Sequence, residues 1–124
     1  MPRARFAKIS RLSGQEAFGA VFRGPSLKVS HPTYLILAKT NRLNYSRLGL
    51  VVAKKHLKKA VDRNDLKRRV REVFRCNTGE PAIDVVFLAR SGMCELRNDE
   101  VNSVLQRAWV RLIEKFERVR SVDE

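Results

Sequence analysis

Between Lys54 and Arg75 the chain carries ten basic residues against three acidic ones, Asp62, Asp65 and Glu72. At about 100° per residue, Asn64, Lys67, Arg68, Arg71 and Arg75 fall on one arc of a helix, and Leu66, Val70, Val73 and Phe74 fall on the opposite arc. One face therefore packs and the other is a cationic rail. Guanidinium groups present planar forks that match phosphate oxygens, and helical spacing holds them in register with a repeating backbone. The chemistry on offer is recognition of a structured polyanion, RNA or DNA. Lys54, Lys55, Lys58 and Lys59, where a strand turns toward this helix, extend the rail. A solvated helix face normally balances Lys with Glu one turn away. Here cations outnumber carboxylates too heavily for that. Asp65, inside the stretch, is spaced to pair with Arg69 one turn later.

Aromatic rings supply the other half of a nucleic-acid device, because single-stranded bases stack on them while cations hold the phosphates. Phe18 and Phe22 stand one turn apart with Val21 between them, so their rings share a face, and Tyr34 offers an amphipathic ring on a strand. Rings at helical spacing also serve as core, so each competes with a packing role. Catalytic signals are missing by comparison. The Asp and Glu residues are scattered rather than gathered to hold two metals, and neither a phosphate-binding glycine loop nor a nucleophile elbow occurs. His31 and His56 have no evident partner. Cys76 and Cys94 lack zinc-site spacing and read as ordinary reduced thiols.

The elements that must position these residues follow from the rest of the sequence. Its 124 residues, 44% of them hydrophobic, suffice for one domain with a modest core, and the net charge of +13 is too large for an indifferent soluble protein. No stretch approaches the roughly 20 apolar residues of a membrane span, and the basic N-terminus lacks a signal-peptide core. The expectation is a cytoplasmic protein without membrane contact. Ser13-Gly14-Gln15-Glu16 fits a capping box opening a helix over Gly14–Arg23, closed by Gly24-Pro25. Tyr34–Ala38 and Leu48–Ala53 read as strands forming an antiparallel pair, and Leu27–Ser30 as a short edge strand stopped by Pro32. Ile83–Ala89 is a further strand. Val101, Val104, Leu105, Ala108, Trp109, Leu112, Ile113 and Phe116 recur at helical spacing. The chain thus reads as one domain over residues 1–124, with its core at about 11–116 and an acidic tail fraying from Ser121. It is an α+β, two-layer sandwich in the order α-β-β-β-α-β-α. From Asn98 onward acidic residues slightly outnumber basic ones, which marks the last helix as scaffold.

Ala53-Lys54-Lys55, Lys59-Ala60-Val61, Arg63 through Arg68, Arg71-Glu72 and Phe74 together resemble the signature of the bacterial ribonuclease P protein family. Phe18 through Gly24, the strand Leu48–Ala53, Val85 to Arg90 with Gly92, and the closing helix around Trp109 agree in order, so the resemblance runs from Arg11 to about Phe116. It implies a left-handed strand-helix-strand crossover, in a fold like the second domain of a small-subunit ribosomal protein. It also implies a catalytic RNA as partner, bound one to one, which carries the active site and removes the 5′ leader of precursor tRNA. Mg²⁺ would be held mainly by that RNA and the substrate. By the same resemblance, Arg63, Asn64, Lys67, Arg68 and Arg71 contact the catalytic RNA, and Lys54, Lys55 and Lys59, as the upstream extension of the rail, are expected to join that contact. Phe18, Phe22 and Tyr34 line a cleft between the first helix and the sheet for the single-stranded leader. One departure stands out: the family's basic third position after Arg63-Asn64 is Asp65 here, and Arg68 or Arg69 would supply the missing charge. A ribosomal-type or chaperone-like RNA-binding module would share the cationic helix but leave leader removal unaffected. A self-sufficient nuclease would cleave without added RNA.

Overall fold

Ile83–Ala89 is buried at six of its seven positions, as the middle strand of a sheet covered on both faces must be. The computed structural model describes residues 10–12, 14–41, 43, 45–77 and 82–123. Its elements in chain order are β1 (Ser10–Arg11), α1 (Gln15–Arg23), β2 (Leu27–His31), β3 (Tyr34–Thr40), β4 (Arg47–Val51), α2 (Ala60–Asn77), β5 (Ile83–Ala89), a 3₁₀ turn (Ser91–Glu95) and α3 (Asn98–Asp123). The sheet order is β1-β4-β5-β3-β2.

The expected antiparallel pairing of β3 with β4 does not form, because β5 lies between them. β5 runs antiparallel to β3, from Tyr34↔Ala89 to Thr40↔Ile83, and parallel to β4, from Arg47↔Asp84 to Val51↔Leu88. Only a central place covers both apolar faces of β5. The helix α2 supplies the long crossover that parallel neighbours require. β2 is the edge strand expected, one residue longer, and a two-residue turn at Pro32-Thr33 pairs His31 with Tyr34. The two-residue β1, which the sequence does not announce, lies parallel to the start of β4.

Strand alternation divides the core. Val29, Tyr34, Ile36, Ala38, Leu48, Val85 and Phe87 point to the face covered by α2 and α3, whose buried stripes are Leu66, Val70 and Phe74, and Val101, Leu105, Ala108, Trp109, Leu112 and Phe116. Trp109 meets Phe74 edge-on at 4.9 Å between centroids. These helices form the helical layer of the sandwich. Leu35, Leu37, Val86 and Leu88 point the other way, packing with Leu12, Phe18 and Val21 beneath α1.

Local chemistry sets the helix ends. Ser13 lies outside the described residues; the residue capping α1 is Gly14, at φ 91°, a backbone region open to glycine. The Gly24 N–H donates to Ala20 O at the other end. α2 starts two residues before Asp62, which sits in its first turn. α3 continues to Asp123, into the acidic tail expected to fray. At the mouth of the parallel pair, buried Asp84 accepts from Arg47 Nε and Nη2 at 2.9 and 2.6 Å and from Asn41 Nδ2 at 2.8 Å, which fixes the β4–β5 register.

Candidate nucleic-acid interface

β1 covers only Arg47 and Leu48, so along Gly49–Val51 the outer edge of β4 has no strand beside it among the described residues. A groove of about 640 Å³ opens there. Leu48 and Leu50 lie at its floor, Leu12 and Phe18 form the wall from the α1 side, and Arg68, Arg71 and Arg75 come from α2. Arg11 and Glu72 complete the lining that matters electrically. An apolar floor, one aromatic ring and a row of guanidinium groups suit a flexible polyanion whose bases need stacking and whose phosphates need forks.

The cations differ in how they are held. Asp65 accepts from Arg69 Nε at 2.7 Å and also pairs with Arg68 Nη2. Arg69 further donates to Asn102 Oδ1 at 2.9 Å, so its guanidinium ties α2 to α3. Hydrogen bonds from Arg69 and then Arg68 hold the Asp65 carboxyl below its usual value. Asp65 is thus a bracket for two arginines. Of those two, Arg68 lines the groove and is well exposed, whereas Arg69 is engaged inside the fold. Arg75 pairs with Glu72 at 2.6 Å. Lys67 and Arg71 pair with no carboxylate among the described residues.

Of the residues expected at the site, Phe18, Arg68 and Arg71 converge on this groove. Phe22 stacks beside Phe18, 6.4 Å between centroids, and is 44% exposed. Asn64 is exposed on α2. Arg63 turns its Nη1 back to Leu57 O and Lys58 O, at 3.0 and 2.9 Å, closing the turn into α2. Lys54, Lys55 and Lys59 are exposed in that connection.

Tyr34 does not join Phe18 and Phe22. It is 1% exposed, on the sheet face opposite α1, stacked on His31 at 4.8 Å and near Phe87 at 5.9 Å. Alternation decides this: Tyr34 shares a face with Ile36 and Ala38, and it is Leu35 and Leu37 that turn toward α1. The wall residues Arg11 and Leu12 escape sequence reasoning, since a two-residue strand leaves no periodic signal. Gly49 within an apolar run was the available hint, because glycine there marks a close approach.

Among the described residues no group of three or more His, Cys, Asp or Glu comes together that could hold a metal ion. Cys94 is free and exposed, and the Cys76 side chain lies outside the described residues. No helix is long and apolar enough to cross a membrane among the described residues.

Fold and groove together define a small basic α+β domain with an aromatic and cationic trough along one sheet edge. The ribonuclease P family model matches residues 6–113. The ribonuclease P protein component of Marinobacter nauticus is 42% identical over 111 residues, covering 90% of this chain and 84% of that one. That of Pseudomonas paraeruginosa is 43% identical over 117 residues, covering 94% and 87%. Among solved structures, the RNase P protein of Thermotoga maritima superposes with a TM-score of 0.62 at 32% identity, covering 79% of this chain and 96% of that one. The Staphylococcus aureus RNase P protein, at 23% identity, shares the fold with a TM-score of 0.71 over 86% and 94%. The chain belongs to the ribonuclease P protein family.

Proposed function

We propose that this chain binds the catalytic RNA of ribonuclease P through the cationic face of α2 and guides the single-stranded 5′ leader of precursor tRNA along the β4 groove. The observation that carries this reading is the meeting of Phe18 with Arg68, Arg71 and Arg75 on one trough. Phe18, with Phe22 beside it, gives unstacked bases a π-face, while the arginines neutralise phosphates that would otherwise repel those of the RNA partner. Tyr34 is reassigned from the leader to the core.

The division of labour follows from the side chains. The chain binds, orients and reduces charge repulsion, which raises the fraction of substrate docked in reactive geometry. In this reading the Mg²⁺-dependent step that cuts the phosphodiester belongs to the RNA and substrate, which hold the ion. The complex is one protein to one RNA, in the cytoplasm.

The test is cleavage of a 5′-leader precursor tRNA at low Mg²⁺ and near-physiological salt, with protein alone, a bacterial ribonuclease P RNA alone, and both. Stimulation only in the mixture is expected. RNA binding without stimulation would move the assignment to a ribosomal-type module, and cleavage by the protein alone to a nuclease.

A further inference from the structure

The charge of α2 is not the only concentration of cations. At the opposite edge of the sheet, β2 packs beside α3, where Lys115 Nζ donates to Lys28 O at 2.7 Å. Arg90, just after β5, donates from Nη1 to Ser30 Oγ and His31 O, both at 3.1 Å. On α3, Arg107, Arg111, Lys115 and Arg118 follow one another at spacings of four, four and three, which places them on one flank of the helix. Lys115 shows that this flank borders β2. The Arg111 and Arg107 charges reach Tyr34 and His31, and burial together with those charges holds the His31 pKa below its ordinary value.

Among the described residues these cations pair with no carboxylate. The ion pairs among the described residues join Arg47 to Asp84, Asp65 to Arg68 and Arg69, Arg75 to Glu72, and Arg97 to Asp99 and Glu100. None involves Arg90, Arg107, Arg111, Lys115 or Arg118, although Glu114 and Glu117 share their helix. Bonds to carbonyls and hydroxyls orient several of these groups while leaving their charge uncompensated. Three strand spacings, about 14 Å, separate β2 from β4, so one single strand lying in the β4 groove does not also cover this edge.

We infer that the β2–α3 edge is a second phosphate-binding surface, where His31, Arg90, Arg107 and Arg111 face the backbone of an RNA segment other than the one in the groove. This rests on the reading of the protein as an RNA partner. The segment belongs either to the catalytic RNA or to the body of precursor tRNA, which present the same phosphodiester chemistry.

The experiment compares R107Q/R111Q with R68Q/R71Q in the full chain across several salt concentrations. One arm titrates the ribonuclease P RNA; the other titrates precursor tRNA onto the assembled complex. R107Q/R111Q should weaken binding and reduce the slope of log affinity against log salt by about 1.8, roughly 0.9 for each phosphate no longer neutralised. The arm in which this occurs identifies the source. Because Arg111 lies near the buried Tyr34, Arg107→Glu alone must reproduce the loss with an unchanged thermal midpoint, its guanidinium making no hydrogen bond among the described residues. Arg107→Lys should restore the slope. Unchanged affinity and slope in both arms, with R68Q/R71Q flattening its own, overturns the second surface and leaves the groove standing. Flattening by R107Q/R111Q but not by R68Q/R71Q upholds it and overturns the groove instead.

Discussion

The ring of Phe18 stands directly over Gly49: a Cβ at residue 49 would lie 2.5 Å from Phe18 Cζ, 2.9 Å from Cε1 and 3.3 Å from Leu12 Cδ2. The strand gives up a side chain so that an aromatic ring can descend to the groove. Gly49→Ala should push the ring outward and destabilise the fold by about 1–3 kcal/mol, the usual cost of overpacking. Affinity for a single-stranded leader should fall more than affinity for mature tRNA. Urea denaturation with paired titrations checks both, and a wild-type leader preference in Gly49→Ala would remove Phe18 from the trough.

Phe18→Ala and Tyr34→Ala should separate by what they damage. Loss of the Phe18 ring, partly exposed at the wall, should reduce precursor binding selectively. Loss of the Tyr34 ring, enclosed by His31 and Phe87, should cost about 3–5 kcal/mol of stability, with equal loss for precursor and mature tRNA in whatever remains folded. Thermal melting beside the two titrations distinguishes them.

The contrast shows where sequence reasoning reaches. The rail and packed stripe of α2 are legible because period 3.6 sorts charged from apolar residues over eighteen positions. The stripe of α3 is legible for the same reason. Partnership between strands is not, since β3 and β4 each carry an acceptable apolar face and nothing local reveals that β5 enters between them. Tyr34 could have been placed by counting: two residues from Ile36 and four from Ala38, it must share their face. The cations of α3 vanish in a net count near zero, because the acidic residues at its two ends and Glu114 and Glu117 together offset them numerically.

Asp65 gives a pH signature. Arg69 and then Arg68 depress its carboxyl below the ordinary 3.8, so the folded state holds its proton less tightly than the unfolded chain. The pairs therefore contribute stability that is fully present above the unfolded value and is lost as pH falls through the lower folded one. Because Asp65 is about one-third exposed, solvent screening limits this to the order of 0.5 kcal/mol. Asp65→Asn should melt slightly below wild type at neutral pH, with the gap closing as pH falls below 3.8 through the lower folded value. It should also bind RNA more tightly at low salt, since Arg68 loses its counter-charge. A gap independent of pH would assign the loss to something other than these ion pairs.

Arg63 and Arg71 should both matter for RNA affinity but by different routes. Arg71→Gln removes an exposed charge and should leave stability within about 0.5 kcal/mol, while flattening the salt dependence by roughly one phosphate's share. Arg63→Gln also releases Leu57 O and Lys58 O, loosening the turn that carries Lys54, Lys55 and Lys59 into α2. It should cost about 1–2 kcal/mol in denaturation and speed amide exchange at Leu57 and Arg63. Affinity would then fall because the neighbouring lysines are no longer presented together. If Arg63→Gln instead matched Arg71→Gln in stability and exchange, the turn would be closed without Arg63, and its guanidinium would be free to meet phosphate directly.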